Sequence, residues 1–225
     1  MKLVLALLAL VPAHAVIGID VSQAISVSTW TCLRTPGGQG AVQFAIPRVH
    51  KSGGSIDFTG ISSMKAAIAA GVPRVDGYIF PCVECGDPAG QVKTTKQTLD
   101  AAEVKYGMLW LDVEPYHWTH NLTANQVFVK AMVDECKVLG AQCGIYANWN
   151  GWKAILGTNW TYAAEQGLPL WYPHYDGVRA FSDFKPFGGW SSPDIKQYLG
   201  DQTTCGVGVD YNWYPDANAT STDIC

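Results

Sequence analysis

The sequence predicts an α/β protein built as a modified (β/α) barrel of about eight strands, with fewer helices than strands and an antiparallel last strand. Three observations carry that expectation. Eight short apolar or alternating runs, each bounded by Gly, Pro or polar residues, recur along the chain. Three helical patterns lie between the early runs, and such alternation argues for a parallel sheet with crossovers. Only a short link, Gly200 to Gly206, separates the last two runs, whereas a parallel crossover needs about a dozen residues or more.

The chain opens on "MKLVLALLALVPAHA", with one early lysine, an apolar stretch from Leu3 to Val11, and small residues at Ala13 and Ala15. That pattern predicts a secretory signal peptide over 1–15, removed before folding. Residues 16–225 then form a single barrel domain, since no linker, repeat or low-complexity tract divides them. No later segment approaches the ~20 apolar residues that span a membrane.

The expected strands are "VIGIDVS", "AVQFAIPRV", "RVDGYIFPC", "GMLWLDVE", "QCGIYAN", "LPLWYPHY", "DIKQYLG" and "GVGVDYNWY". In the first helix Ile61, Met64 and Ile68 share one face, and Gly71 fits a left-handed stop. The second begins at Asp87 as cap with Pro88 in the first turn and runs toward Val104. The third opens on Thr123 with Gln126 three residues on, a capping box, and buries Val129, Met132, Val133, Cys136 and Leu139 before Gly140. The second half, rich in Gly, Pro and aromatic residues, is expected to be short of helices.

Loss of Lys2 with the signal leaves 14 basic against 19 acidic side chains, a formal charge of −5. No basic footprint for nucleic acid exists. All seven cysteines survive cleavage, and a secreted setting favours disulfides. Cys136 with Cys143, Cys205 with Cys225, and Cys32 with Cys82 or Cys85 are the pairings expected, with one thiol over. A redox role for the Cys82-x-x-Cys85 pair is the lesser reading. Sequons at Asn121, Asn159 and Asn218 mark surface loops that accept glycans in a eukaryotic host.

Chemistry concentrates in "GMLWLDVEPYHW". Side chains alternate along a strand, so Met108, Trp110, Asp112 and Glu114 share one face and Leu109, Leu111 and Val113 the other. The aliphatic face suits helices; the carboxylates then point into the barrel at its carboxyl end, where the active sites of β/α barrels lie. Asp20 ends the first strand, and an antiparallel last strand keeps Asp210 at the same mouth. Four converging carboxylates cannot all ionise at little cost, so one is held protonated while another stays charged. Glycosidases use that arrangement. His117 and His120 lie past Pro115 in a loop and are not read as metal ligands, and no cofactor motif is present. Among nine Trp and ten Tyr, several stand at strand ends, including Tyr78, Phe80, Tyr146, Trp149, Trp171 and Tyr175, and flat rings suit the apolar faces of sugars.

The blocks "GIDVSQ", "FAIPRV", "AAIAAGV", "GYIFPC", "LWLDVEP", "GIYANWNGW", "LPLWYPHY", "IKQYLGD" and "VDYNWY" occur in the order found in glycoside hydrolase family 25, and the chain resembles that family over nearly all of its mature length. The resemblance implies a secreted lysozyme cleaving the β-1,4 bond between N-acetylmuramic acid and N-acetylglucosamine in bacterial peptidoglycan. It implies Glu114 as general acid/base, Asp112 as the group orienting the substrate's acetamido group, and Asp20 and Asp210 as the companion acids. Tyr78, Tyr146, Trp171 and Gln197 match its sugar-binding positions, with Phe80 beside them. Two positions depart from the pattern: Ile79 replaces a histidine, and Lys196 replaces a tryptophan before the Gln-Tyr pair. A monomer without cofactor or metal is expected, secreted or lodged in a lysosomal or phagosomal lumen, serving defence against bacteria or digestion. The alternatives are a chitinase-like glycosidase and an inactive sugar-binding lectin on the same barrel.

Overall fold

The computed structural model describes residues 15–216. Strand β1 (Ala15–Val21) pairs in parallel with β2 (Val42–Lys51) and antiparallel with β10 (Val207–Pro215), which closes the sheet. Between them run β4 (Arg74–Val75) and β5 (Gly77–Ile79), one strand interrupted at Asp76, then β6 (Leu109–Asp112), β7 (Cys143–Tyr146), β8 (Leu170–Pro173) and β9 (Ile195–Thr204). A two-residue β3 (Ser55–Ile56) folds back on the end of β2. All barrel neighbours are parallel except those of β10, the expected antiparallel last strand. Its turn is tighter than expected, because β9 continues to Thr204 and leaves only Cys205 and Gly206 between strands. Both have positive φ, 53° and 78°, the geometry that matches a two-residue hairpin to the twist of its strands.

Among the described residues six helices surround the sheet, fewer than its strands: α1 (Val27–Arg34), α2 (Phe58–Ala69), α3 (Pro88–Ala101), α4 (Leu122–Val138), α5 (Trp149–Ile155) and α6 (Tyr162–Glu165). Helix α3 begins as expected, with the Asp87 side chain accepting from Gly90 N–H. The capping box expected on the next helix does not form. Asn121 caps α4 instead, accepting from Ala124 N–H, because Gln126 Nε2 donates to the Leu156 carbonyl 2.7 Å away. On α2, Ile61 and Met64 are buried, whereas Ile68, in the last turn of the helix, is exposed. Helix α1 has only Trp30 and Leu33 buried in a Ser/Thr-rich run, too little apolar period to be read from sequence.

Two apolar layers result. Leu109, Leu111 and Val113 pack outward with Val92, Leu99, Val129, Met132 and Val133 of the helices. Inside the barrel, Phe44, Ile46, Trp110, Tyr146, Trp171 and Ile195 fill the lumen. Glycines make room for the rings: a Cβ at Gly18 would lie 2.4 Å from Phe44, and one at Gly144 2.4 Å from Trp110. The floor is closed by Asp76, fully buried, which accepts from Trp110 Nε1 (3.1 Å), Met108 N–H (3.0 Å) and Arg74 Nη2 (2.6 Å).

Three disulfides are present among the described residues. Cys136–Cys143 forms as expected, bridging the turn from α4 to β7. The other two correct the expectation: Cys205 bonds to Cys32, across a separation of 173 residues, and Cys82 bonds to Cys85. The hairpin turn carries Cys205 over to α1, a proximity that no sequence spacing reveals. Cys225, Asn218 and the first fourteen residues lie outside the described residues.

Asp76→Ala is expected to lower unfolding stability in urea by about 3–5 kcal/mol, because it orphans a buried indole N–H, a backbone N–H and one partner of an ion pair. Lys96→Ala, which breaks the surface pair with Asp100, should change it by no more than about 0.5 kcal/mol.

Candidate active site

The carboxyl ends of the parallel strands open into a hollow of about 260 Å³. Asp20 stands near the end of β1, Asp112 is the last residue of β6, and Glu114 follows two residues on. Trp118 Nε1 donates to the Glu114 carbonyl at 2.8 Å and ties down the chain past Pro115. Because β10 is antiparallel, Asp210 pairs directly opposite Asp20. Tyr78, Phe80, Tyr146, Trp171 and Gln197 complete the set, so the nine residues singled out from sequence line one hollow. An adjoining hollow of about 290 Å³ shares Asp20, Ser22, Tyr78 and Asp210 and runs past Gln23, Asp201 and Gly208. Sharing these residues, the two hollows form one groove.

Gln197, 2 % exposed, is the hub of the acids. Its Nε2 donates to Asp20 Oδ1 (2.8 Å) and Asp210 Oδ2 (3.3 Å), and its Oε1 accepts from Tyr146 (2.6 Å) and Tyr175 (3.0 Å) hydroxyls. Asn212 Nδ2 gives Asp20 Oδ1 a second donor at 2.7 Å, and Asn212 Oδ1 accepts from Trp171 Nε1 at 2.7 Å. Asp210 Oδ1 accepts from Asp201 N–H at 2.7 Å.

Burial pushes all four carboxyls up. Asp20 and Asp112 rise well above the usual carboxylate range, Asp20 through burial and then the charge of Asp210, Asp112 through burial and then Glu114 and Asp20. Glu114 is raised by burial and then by Asp210, and Asp210 mainly by burial. Arg48, which lines the hollow, partly offsets the rise at Asp112; its Nε is held by Asp57 at 2.9 Å. Asp112 Oδ1 is buried without a hydrogen-bond partner. A buried acceptor left unpaired is unfavourable, and here it borders an open cleft where a ligand N–H can reach it.

The rings divide into two groups. Trp171 and Tyr146, centroids 4.5 Å apart, are almost fully buried and form the floor. Tyr78, Phe80 and Tyr175 reach solvent and offer faces to a ligand. Phe80 is backed by Tyr116 at 5.1 Å. Of the other strand-end aromatics named from sequence, Tyr175 lines the hollow from the loop past Pro173 and Trp149 does not. Arg48, Ser22 and Asn212 belong to the site without having been singled out; Asn212 lies two residues from Asp210 on the same strand, a signal that could have found it.

His117 lies 3.3 Å from Glu84 on the rim. His174, Asp176 and Asp183 converge like metal ligands, but the Lys196 ammonium sits 2.8 Å from both carboxylates and already supplies the cation.

A family model described as Lysozyme-like protein 1 matches residues 12–198. Lysozyme-like protein 5 of Caenorhabditis elegans is 45% identical over 202 residues, covering 88% of this chain and 91% of its own. Probable GH family 25 lysozyme 2 of Dictyostelium discoideum is 42% identical over 202 residues, covering 89% and 92%. Among solved structures, the lysozyme of Streptomyces coelicolor shares the fold with a TM-score of 0.68 at 20% identity, over 92% of this chain and 93% of that one. The autolysin LytC of Streptococcus pneumoniae, solved with a synthetic peptidoglycan ligand, aligns with a TM-score of 0.69 at 17% identity, over 89% of this chain and 47% of that one. Sequence relatives that span almost the whole chain, and a barrel of the same architecture, place the protein in the glycoside hydrolase family 25 lysozymes.

Proposed function

We propose that the protein is a secreted lysozyme that hydrolyses the β-1,4 bond between N-acetylmuramic acid and N-acetylglucosamine in bacterial peptidoglycan. The observation that carries this reading is the pairing of Glu114, its carboxyl raised by burial and Asp210, with Asp112, whose buried Oδ1 lacks a partner in the same cleft. A protonated Glu114 donates to the leaving glycosidic oxygen. Asp112 Oδ1 accepts the N–H of the substrate's acetamido group and aims its carbonyl oxygen at the anomeric carbon, which forms a cyclic intermediate. Water, deprotonated by Glu114, then opens that intermediate with retention.

Asp112 and Glu114 approach from one strand and one side, which supports the orienting role over attack by a base from the opposite face. Burial and the charge of Asp210, which Gln197 ties to Asp20, keep Glu114 protonated, and that charge favours the developing positive charge on the sugar. Tyr78, Phe80 and Tyr175 hold sugar rings by their faces. The protein acts as a monomer outside the cell or in a lysosomal or phagosomal lumen. Asn121 and Asn159 are exposed and carry glycans; the cap bond to Ala124 uses Asn121 Oδ1 and leaves the amide nitrogen for the linkage.

The test is clearance of bacterial walls with identification of the new reducing ends. Wild type should release muramic acid ends, and Glu114→Gln should lower the rate by about 10²–10⁴-fold with an unchanged circular dichroism spectrum. Binding without cleavage by wild type at any pH would make the protein a lectin, and soluble oligomers from chitin alone would make it a chitinase. The first-formed product, read by proton NMR, should be the β-anomer; an α-anomer would transfer the base to Asp20 or Asp210.

Raised carboxyl pKa values also set a stability slope. A group whose folded value exceeds its unfolded one stabilises the fold below the unfolded value and loses that contribution as pH rises through the folded one. Wild-type Tm is therefore expected to fall as pH is raised from the usual carboxylate range through neutrality, and Asp112→Asn to flatten that fall while abolishing turnover. Thermal unfolding across that range checks it; a slope identical in both proteins would show that Asp112 is ionised at little cost.

A further inference from the structure

Lys196 stands where the family pattern has a tryptophan, and it is fully buried. An ammonium is retained in such a place only if its three N–H groups are satisfied. Here they are: Nζ lies 2.8 Å from Asp176 Oδ2, 2.8 Å from Asp183 Oδ1 and 3.1 Å from the Ala180 carbonyl. All three acceptors belong to the loop that follows β8. Asp183 is further held by the Tyr172 hydroxyl at 3.2 Å and by His174 Nδ1. Burial raises the Asp183 carboxyl, but the bonds from Lys196 and His174 outweigh it and bring it down to about 2.

Neighbouring side chains on a strand face opposite ways. Lys196 and Gln197 therefore grip two consecutive loop residues from the two faces of β9: Lys196 holds Asp176, and Gln197 accepts from the Tyr175 hydroxyl at 3.0 Å. The backbone joins in, His174 N–H bonding the Gln197 carbonyl and Gly177 N–H the Tyr198 carbonyl, both at 2.9 Å. The Tyr175 ring covers Gly200 so closely that a Cβ there would lie 2.6 Å from it. More than half of Tyr175 is exposed beside the acids, so its position is decided by the loop and not by core packing.

We propose that Lys196 is a positioning residue for the sugar site, its buried ammonium clamping Asp176 and Asp183 so that Tyr175 stays fixed on Gln197 as one wall of the cleft. The role is one of affinity: Tyr175 presents a ring face to the glycan, and the clamp removes the loop freedom that binding would otherwise have to freeze. The inference rests on the peptidoglycan reading of the cleft.

The experiment uses the Glu114→Gln background, where a soluble peptidoglycan tetrasaccharide can be titrated by calorimetry without being cleaved. Lys196→Met alone leaves Asp176 and Asp183 side by side without the cation they share and can fail to fold, so the main variant combines it with Asp176→Asn and Asp183→Asn. That neutral triple variant is expected to weaken binding about tenfold, Tyr175→Ala to weaken it similarly, and their combination to lose little more, the non-additivity of residues acting through one another. In parallel, hydrogen exchange at His174 and Gly177 should quicken at least about tenfold in the triple variant while the β1 and β6 amides are unchanged. Unchanged affinity, losses that multiply, or a loop that stays protected would each overturn the clamp. Absence of tetrasaccharide binding to the Glu114→Gln protein itself would instead remove the peptidoglycan reading, with loop exchange still deciding whether Lys196 holds the loop.

Discussion

The site depends on one amide. Gln197 can offer two N–H donors and two acceptor lone pairs, and the structure uses all four, on Asp20, Asp210, Tyr146 and Tyr175. These groups come from β1, β10, β7 and the loop after β8. An amide is suited to the task because it is neutral: a cation in its place would lower the acids, and an anion would add a fifth charge. Gln197 gathers Asp20 and Asp210 and, with Asn212, only partly offsets the rise that burial and the charge of Asp210 impose on Asp20.

A buried cluster of acids opposes folding, and the barrel concentrates the opposing terms elsewhere. Asp76 closes the floor by satisfying an indole, a backbone amide and a guanidinium at once. The Cys32–Cys205 bridge restricts a long stretch of the unfolded chain and joins the closing hairpin to α1. The lumen between floor and mouth is filled by rings seated against glycines. The mouth is thus free to hold groups selected for chemistry, with Asp112 Oδ1 left unpaired.

The face of "MLWLDVE" was legible because a period of two in aliphatic residues leaves a single way to bury the strand, and the carboxylates follow from it. The positions of Asp20 and Asp210 followed from strand ends and from a link too short for a crossover. What was not legible depends on partners far along the chain. Gln126 had the right spacing for a capping box, yet a carbonyl thirty residues on, at Leu156, takes its amide. Cys205 was nearer in sequence to Cys225, yet a hairpin turn delivers it to Cys32. Lys196 read only as a departure from a pattern, since the acids that make it tolerable lie in a loop without periodicity.

The antiparallel β10 links these features. Had the last strand entered in parallel, the start of "GVGVDYNWY" would lie at the barrel floor and Asp210 would be far from Asp20. Reversal through Cys205 and Gly206 instead sets Asp210 opposite Asp20 and Asn212 opposite Gln197, so one hairpin delivers an acid and an amide to the mouth. The same hairpin, through Asp201 and Gly208, walls the second half of the groove. Closing the sheet and assembling the site are therefore a single structural event, in which a register slip of one residue in β10 would turn Asp210 and Asn212 away from the cleft together.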